Sequence, residues 1–184
     1  MKTITRNAAI NMFDVLGQIA LGQLNEETLD AVLSNLTACG KVQGDVSKLK
    51  EELHKRMYTS VDEERKNAFF ELVEKKERKQ ASVNGLMKID EVKKVYLEVE
   101  ELIKMMKEAY ADVFALYEKH LAAINKLLNK EVEVDIVEVE ANDFLKAAIL
   151  GNKKISIAEL RIFLDPMLKD DKHETDLSEL DELV

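Results

Sequence analysis

The residues that could do chemistry in this chain are few, and each is set in a pattern that argues against its use. Glu51 and His54 stand three apart in "EELHKR", the Glu-x-x-His spacing with which di-iron bundles place a carboxylate and an imidazole on one helix face. Such a centre needs a second motif and two further glutamates. The other histidine to consider, His120, has Tyr117 three residues before it, so Glu51 and His54 read as a solvated surface pair. His173 lies among Asp170, Asp171 and Glu174, which are ligand types without a framework to hold them. "DIVEVE" gathers Asp135, Glu138 and Glu140, but a nuclease would need a lysine where Glu140 stands. Cys39 sits in an apolar stretch with no histidine near it in sequence and reads as a buried structural thiol. No glycine pattern of a phosphate-binding loop or a nucleophile elbow occurs. The expectation is a protein that is not an enzyme, with no metal and no cofactor.

The bulk numbers agree with a binding role. The chain has 184 residues, 46% of them apolar and 34% charged, enough for a packed core. One proline, six glycines and no tryptophan favour long helices. A formal net charge of −9 speaks against direct binding to nucleic-acid phosphates and permits a basic protein partner. With one cysteine there is no internal disulfide, which fits a reducing compartment. No apolar run has the length of a membrane span or the form of a signal peptide. A cytoplasmic protein with no membrane contact is expected.

The elements follow from periodicity. Ala8, Ile10, Phe13, Leu16 and Ile19 predict a helix over 7–21 stopped by Gly22. A second helix begins near Asn25, with a kink or break expected at Gly40 and Gly44. A third opens at Ser60, with Glu63 at the capping-box position, and runs to the turn pair Asn84-Gly85. Residues 91–128 contain no glycine or proline and predict one long helix of about 57 Å, too long for one small globule and suited to pack along the second helix or on another chain. Two short helices follow: "NDFLKAAILG", capped by Asn142 or Asp143 and stopped by Gly151, and "SIAELRIFLDPML", with a capping box from Ser156 to Glu159. Tyr110 and Tyr117, one heptad apart, read as packing residues, as do Met105 and Met106.

One stretch breaks the helical pattern. In "NKEVEVDIVEVEANDF", Val132, Val134 and Ile136 alternate with Glu131, Glu133 and Asp135, and the phase slips by one at Ile136-Val137. A bulge there would keep Val137 and Val139 on the same face as the first set. The strand over 131–139 is expected to pair with "LMKI" at 86–89, the alternative being an edge strand shared with another chain. The fold class is thus mainly α: an elongated helical hairpin or bundle built on the helix at about 91–128, with a small two-stranded β element. Residues 1–168 read as a single domain and 169–184 as an acidic tail. The last fifteen residues carry seven acids and one lysine and could fold on a partner through Leu177, Leu180 and Leu183.

The order of these pieces resembles a known family. A helical hairpin, an Asn-Gly turn before a short strand, a long helix ending in "LLNKEVEVDIVEVEANDF" and then "ISIAELRIFL" is similar to small, functionally uncharacterised proteins encoded in the structural-gene regions of tailed bacteriophages and prophages. The likeness covers most of residues 7–165. Gly40, Gly44 and the acidic tail depart from the pattern. The resemblance implies a phage or prophage setting, hence the host cytoplasm, and nothing catalytic. The resulting expectation is a protein–protein interaction factor, an accessory or assembly protein of a phage, with a phage or host protein as partner and self-association as a further option. Val132, Val134, Ile136, Leu177, Leu180 and Leu183 are the candidate contact residues. The runner-up is an acidic inhibitor that mimics nucleic-acid charge, using Glu131, Glu133, Asp135, Glu138 and Glu140 together with Asp176, Glu179, Asp181 and Glu182.

Overall fold

The computed structural model describes residues 1–85 and 88–169, with the side chains of all but Asn142 and Asp143. Its order is β1 (Lys2–Thr5), α1 (Arg6–Leu16), α2 (Glu26–Tyr58), α3 (Glu63–Ser82), α4 (Ile89–Ala109), α5 (Ala111–Leu128), β2 (Glu131–Val134), α6 (Ala141–Gly151) and α7 (Ile157–Leu164), with short 3₁₀ turns at Leu21–Gln23, Val83–Gly85 and Asp165–Met167. The fold is mainly α, with one two-stranded antiparallel sheet among the described residues. Among the described residues no helix is long and apolar enough to cross a membrane. The described residues gather into two compact units: Met1–Leu49 with those from Lys126 to Lys169, and Lys50–Asn125.

In the first unit the acidic strand finds its partner at the opposite end of the chain from the one its sequence neighbours suggest. β2 pairs with β1, Lys2 opposite Val134 and Thr5 opposite Glu131. Of the partner expected at 86–89, Ile89 instead begins α4, and Leu86 and Met87 lie outside the described residues. Four residues of "KTIT" with three β-branched side chains suffice, because Ile4 and Val132 pack half-buried on the core and Val134 is buried in it. Thr5 ends the strand and caps α1, its hydroxyl accepting from the Ala8 N–H at 3.1 Å. That helix stops at Leu16, six residues before Gly22. The turn beyond it is held by α6, where the Ala20 N–H donates to the Ala147 carbonyl. Gly151 lies so close beneath this turn that a Cβ there would stand 1.7 Å from the Gln18 carbonyl oxygen. Gly151 is thus the last residue of α6 and a point of backbone contact, with Asn152 following as the cap. The expected Asn142 or Asp143 cap is displaced, because the helix starts at Ala141 after Glu140.

Gly40 and Gly44 do not break α2, which runs unbroken for 33 residues. Val32, Cys39 and Val46, spaced by sevens, are buried along it, and this packing outweighs about 1 kcal/mol of helix propensity lost per glycine. Gly40 also has a use: a Cβ there would come to 3.0 Å from the Phe13 ring. Gly44 faces open space. At the far end of the chain the Ser156–Glu159 capping box opens α7 as expected.

The second unit holds the C-terminal end of α2, then α3, α4 and most of α5. The cap of α3 is Asp62, whose carboxylate accepts from the Arg65 N–H at 3.0 Å, not Ser60. The expected single helix over 91–128 is two helices, interrupted at Tyr110 (φ −135°, ψ 41°). No glycine or proline causes this. Arg65 on α3 donates to the Ala109 carbonyl and to the Asp112 carboxylate, and its guanidinium lies over the Tyr110 ring at 5.3 Å. A side chain that bonds a carbonyl of the helical ladder is a recognised cause of a sharp break. The core of this unit centres on Phe69, fully buried, with the rings of Phe70, Tyr110, Phe114 and Tyr117 at 5.5 to 6.4 Å.

Candidate functional site

The segment 131–140 is anchored at three successive points. β1 holds its first four residues. Next, Asn35, wholly buried on α2, clamps the backbone of Val137: its Nδ2 donates to the Val137 carbonyl and its Oδ1 accepts from the Val137 N–H, both at 2.8 Å. The side-chain amide stands in for a neighbouring strand. Finally the Val139 N–H donates to the Met167 carbonyl and the Val139 carbonyl accepts from the Lys169 N–H. This arrangement answers the phase slip. Val132, Val134, Ile136 and Val139 point inward, while Val137 and Glu138 together face solvent. The expected bulge with Val137 inward is replaced by an irregular stretch at 135–138 that Asn35 holds.

The consequence for the candidate contact residues is direct. Val134 and Ile136 are buried in this chain's own core and Val132 packs half-buried against it, so their side chains do not form a free surface for a partner. The acids alternate outward as expected: Glu131, Glu133, Asp135, Glu138 and Glu140 are all exposed. Three of them have cationic neighbours. Lys2 lies 2.6 Å from Glu138, Lys169 beside Glu140, and the terminal ammonium 3.8 Å from Asp135. The hydrogen bond from Lys2 holds the Glu138 carboxyl below the usual carboxylate range. A groove of about 580 Å³ runs between the start of α2 and this segment, lined by Glu27, Asp30, Ala31, Val139, Glu140 and Lys169 among others. Leu177, Leu180 and Leu183, with Asp176, Glu179, Asp181 and Glu182, lie outside the described residues.

Two features were not legible from spacing alone. The first is a set of exposed apolar side chains spread around α4: Ile89 is 74% exposed, Tyr96 53%, Leu97 61% and Met105 53%. Met105, expected in the core with Met106, instead borders a groove of about 270 Å³ with Leu102, Lys75, Lys79, Glu98 and Glu101, while Met106 is buried. The second is the meeting of His54 and His120. Glu51 turns away to Lys55, 2.6 Å distant, and His54 packs half-buried against Tyr58, Phe70 and His120. It is an aromatic-cluster residue, not one half of a solvated pair. Burial pushes the Tyr58 phenol up to about 12 and lowers His120 below its ordinary value, with His54 contributing to the latter. Cys39 is buried beside the Met12 sulfur, and desolvation raises its thiol to about 11, far from the thiolate range a nucleophile needs. No protein family, curated protein or solved structure matches the chain.

Proposed function

We propose that the protein acts without catalysis, by binding another protein through the exposed apolar side chains of α4, in the role of a phage or prophage accessory or assembly factor. The observation that carries this reading is that Ile89, Tyr96, Leu97 and Met105 stand exposed on one 21-residue helix. Ile89, Tyr96 and Leu97 fall within about 100° of one another around the helix axis, whereas Met105 lies on the opposite side from Tyr96, and a tyrosine beside aliphatic side chains has the composition of interface centres. The phage setting rests on the resemblance of "LLNKEVEVDIVEVEANDF" and "ISIAELRIFL". The runner-up, a nucleic-acid mimic, draws on the exposed acids at 131–140, and the pairing of Glu138, Glu140 and Asp135 with cations weakens it.

The test is capture from bacterial lysate, with and without phage infection. The baits are the full chain, a chain ending at Lys169 and a Tyr96→Asp/Leu97→Asp variant, each washed at low and high salt. The expected result is a phage assembly or virion protein that resists about 0.5 M salt, where surface charge is screened within a few ångströms, and that the α4 variant loses. Loss on truncation would transfer the contact to the tail. Capture of a basic host protein that salt releases and the α4 variant retains would replace this reading with the mimic.

A further inference from the structure

We propose that His54, His120 and the phenol oxygen of Tyr58 form a binding site for a divalent transition-metal ion of the zinc class. Tyr58 and His54 lie one turn apart on α2, and His120 meets them from α5, with ring centres 4.8 Å (His54–Tyr58), 5.5 Å (His54–His120) and 5.6 Å (Tyr58–His120) apart. Two imidazoles on one tetrahedral zinc, each with a Zn–N bond of about 2.0–2.1 Å, hold their ring centres about 5 Å apart, close to the spacing found. The second observation is independent of that spacing. His120, 8% exposed, and Tyr58, 3% exposed, each bury a polar atom, Nε2 and the hydroxyl, for which the described residues supply no hydrogen-bond partner. Buried polar atoms are almost always satisfied, because leaving one bare costs about 1–3 kcal/mol. A cation shared by the three side chains would satisfy both.

The donor set selects the metal. Imidazole nitrogen suits zinc, copper, nickel and cobalt, whereas calcium and magnesium require several oxygens, and among the described residues no three His, Cys, Asp or Glu side chains gather. The half-buried edge of the site, at His54, is where water completes the shell. Binding at this point would pin the end of α2 to α5 inside the second unit, a structural role separate from the surface of α4.

The experiment adds Zn²⁺, and separately Co²⁺, to metal-free protein. It reads calorimetric stoichiometry, the thermal midpoint and the visible Co²⁺ spectrum, using the full chain and a chain ending at Lys169 that lacks His173. The expected result is one saturable site in both chains, a tetrahedral Co²⁺ band and a midpoint raised by about 5 °C or more. Affinity should fall at least about tenfold in His54→Gln and in His120→Phe, and by less in Tyr58→Phe. His54→Gln alters a half-buried position and keeps the test valid if His120→Phe fails to fold. Absence of saturable binding in the full chain would overturn the proposal, as would uptake that His54→Gln leaves unchanged. Absence of binding together with a stabilising Tyr58→Phe would mean that the two buried atoms are simply unsatisfied.

Discussion

Replacing Asn35 should loosen the acidic segment more than any other single change in the first unit. Its side chain is wholly buried and spends both polar atoms on Val137, one bond to the carbonyl and one from the N–H, each at 2.8 Å and 102 residues distant in sequence. Two neutral hydrogen bonds contribute about 0.5–1.5 kcal/mol each, and truncation to alanine adds a small cavity next to Met167. Asn35→Ala should therefore cost about 2–4 kcal/mol. Asn35→Leu keeps the branched shape, removes the bonds and adds some bulk in place of a cavity, so it should cost about 1–3 kcal/mol. Asn35→Asp keeps an acceptor for the N–H but aims a second oxygen at the Val137 carbonyl, and it should be worse above the carboxylate's titration range than below it. Urea unfolding gives the global cost, and amide hydrogen exchange locates it. The Val137 and Val139 N–H groups should lose protection while the amides of α3 keep theirs. If Asn35→Leu unfolds within about 0.5 kcal/mol of the wild type and Val137 exchange is unchanged, the clamp contributes nothing and the segment is held by β1 and the Met167–Lys169 contacts alone.

Three further outcomes follow from the same geometry. Gly151→Ala should destabilise by more than about 3 kcal/mol, because its Cβ meets backbone that cannot yield by rotating a side chain, while Gly44→Ala, which meets nothing, should stabilise by about 0.5–1 kcal/mol; thermal scans of the two variants should move in opposite directions. Arg65→Ala should cost about 0.5–1.5 kcal/mol, since its pair with Asp112 is solvent-exposed and contributes little alone; the loss should appear as faster exchange around 109–114, and a cycle with Asp112→Asn separates the ion pair from the carbonyl bond and the Tyr110 contact. Burial lowers the His120 pKa from its ordinary 6.5, so the unfolded chain takes up a proton before the folded one and stability falls as pH drops from 6.5 through the folded value. The midpoint measured in metal-free protein between pH 7.5 and 5 should decline, and His120→Phe should flatten the decline; an unchanged slope in that variant would place its origin elsewhere.

Local chemistry was legible in the sequence and long-range chemistry was not. The Ser156–Glu159 box and the Asn25 cap of α2 are written within four residues each, and the structure has both; of the strand expected over 131–139 it has the first four residues, Glu131–Val134. The interruption at Tyr110 escaped because its cause, Arg65, lies on another helix. β1 escaped because "KTIT" is too short to register before its partner is known, and the clamp on Val137 because one asparagine in a 33-residue helix carries no signal. On α1 the buried face runs through Ala9, Met12 and Leu16, whereas Ile10 and Phe13 are only half-buried; an abundance of apolar residues on every side blurred the stripe. For the candidate sites, the outward direction of the acids came from the period of two, and the burial of Val134 and Ile136 is the other half of that same alternation. His54 and His120 are 66 positions apart in the numbering, and only the packing of α2 on α5 brings their rings together.

The most direct test of the binding role is site-specific photocross-linking in phage-infected cells, with the cross-linking side chain placed at Leu97 in one variant and at Glu133 in another. Binding through α4 should give a discrete adduct from position 97 that persists when extracts are made in about 0.5 M salt, and none from position 133. A discrete adduct from position 133 alone, abolished by that salt, would contradict it and assign the contact to the acidic strand.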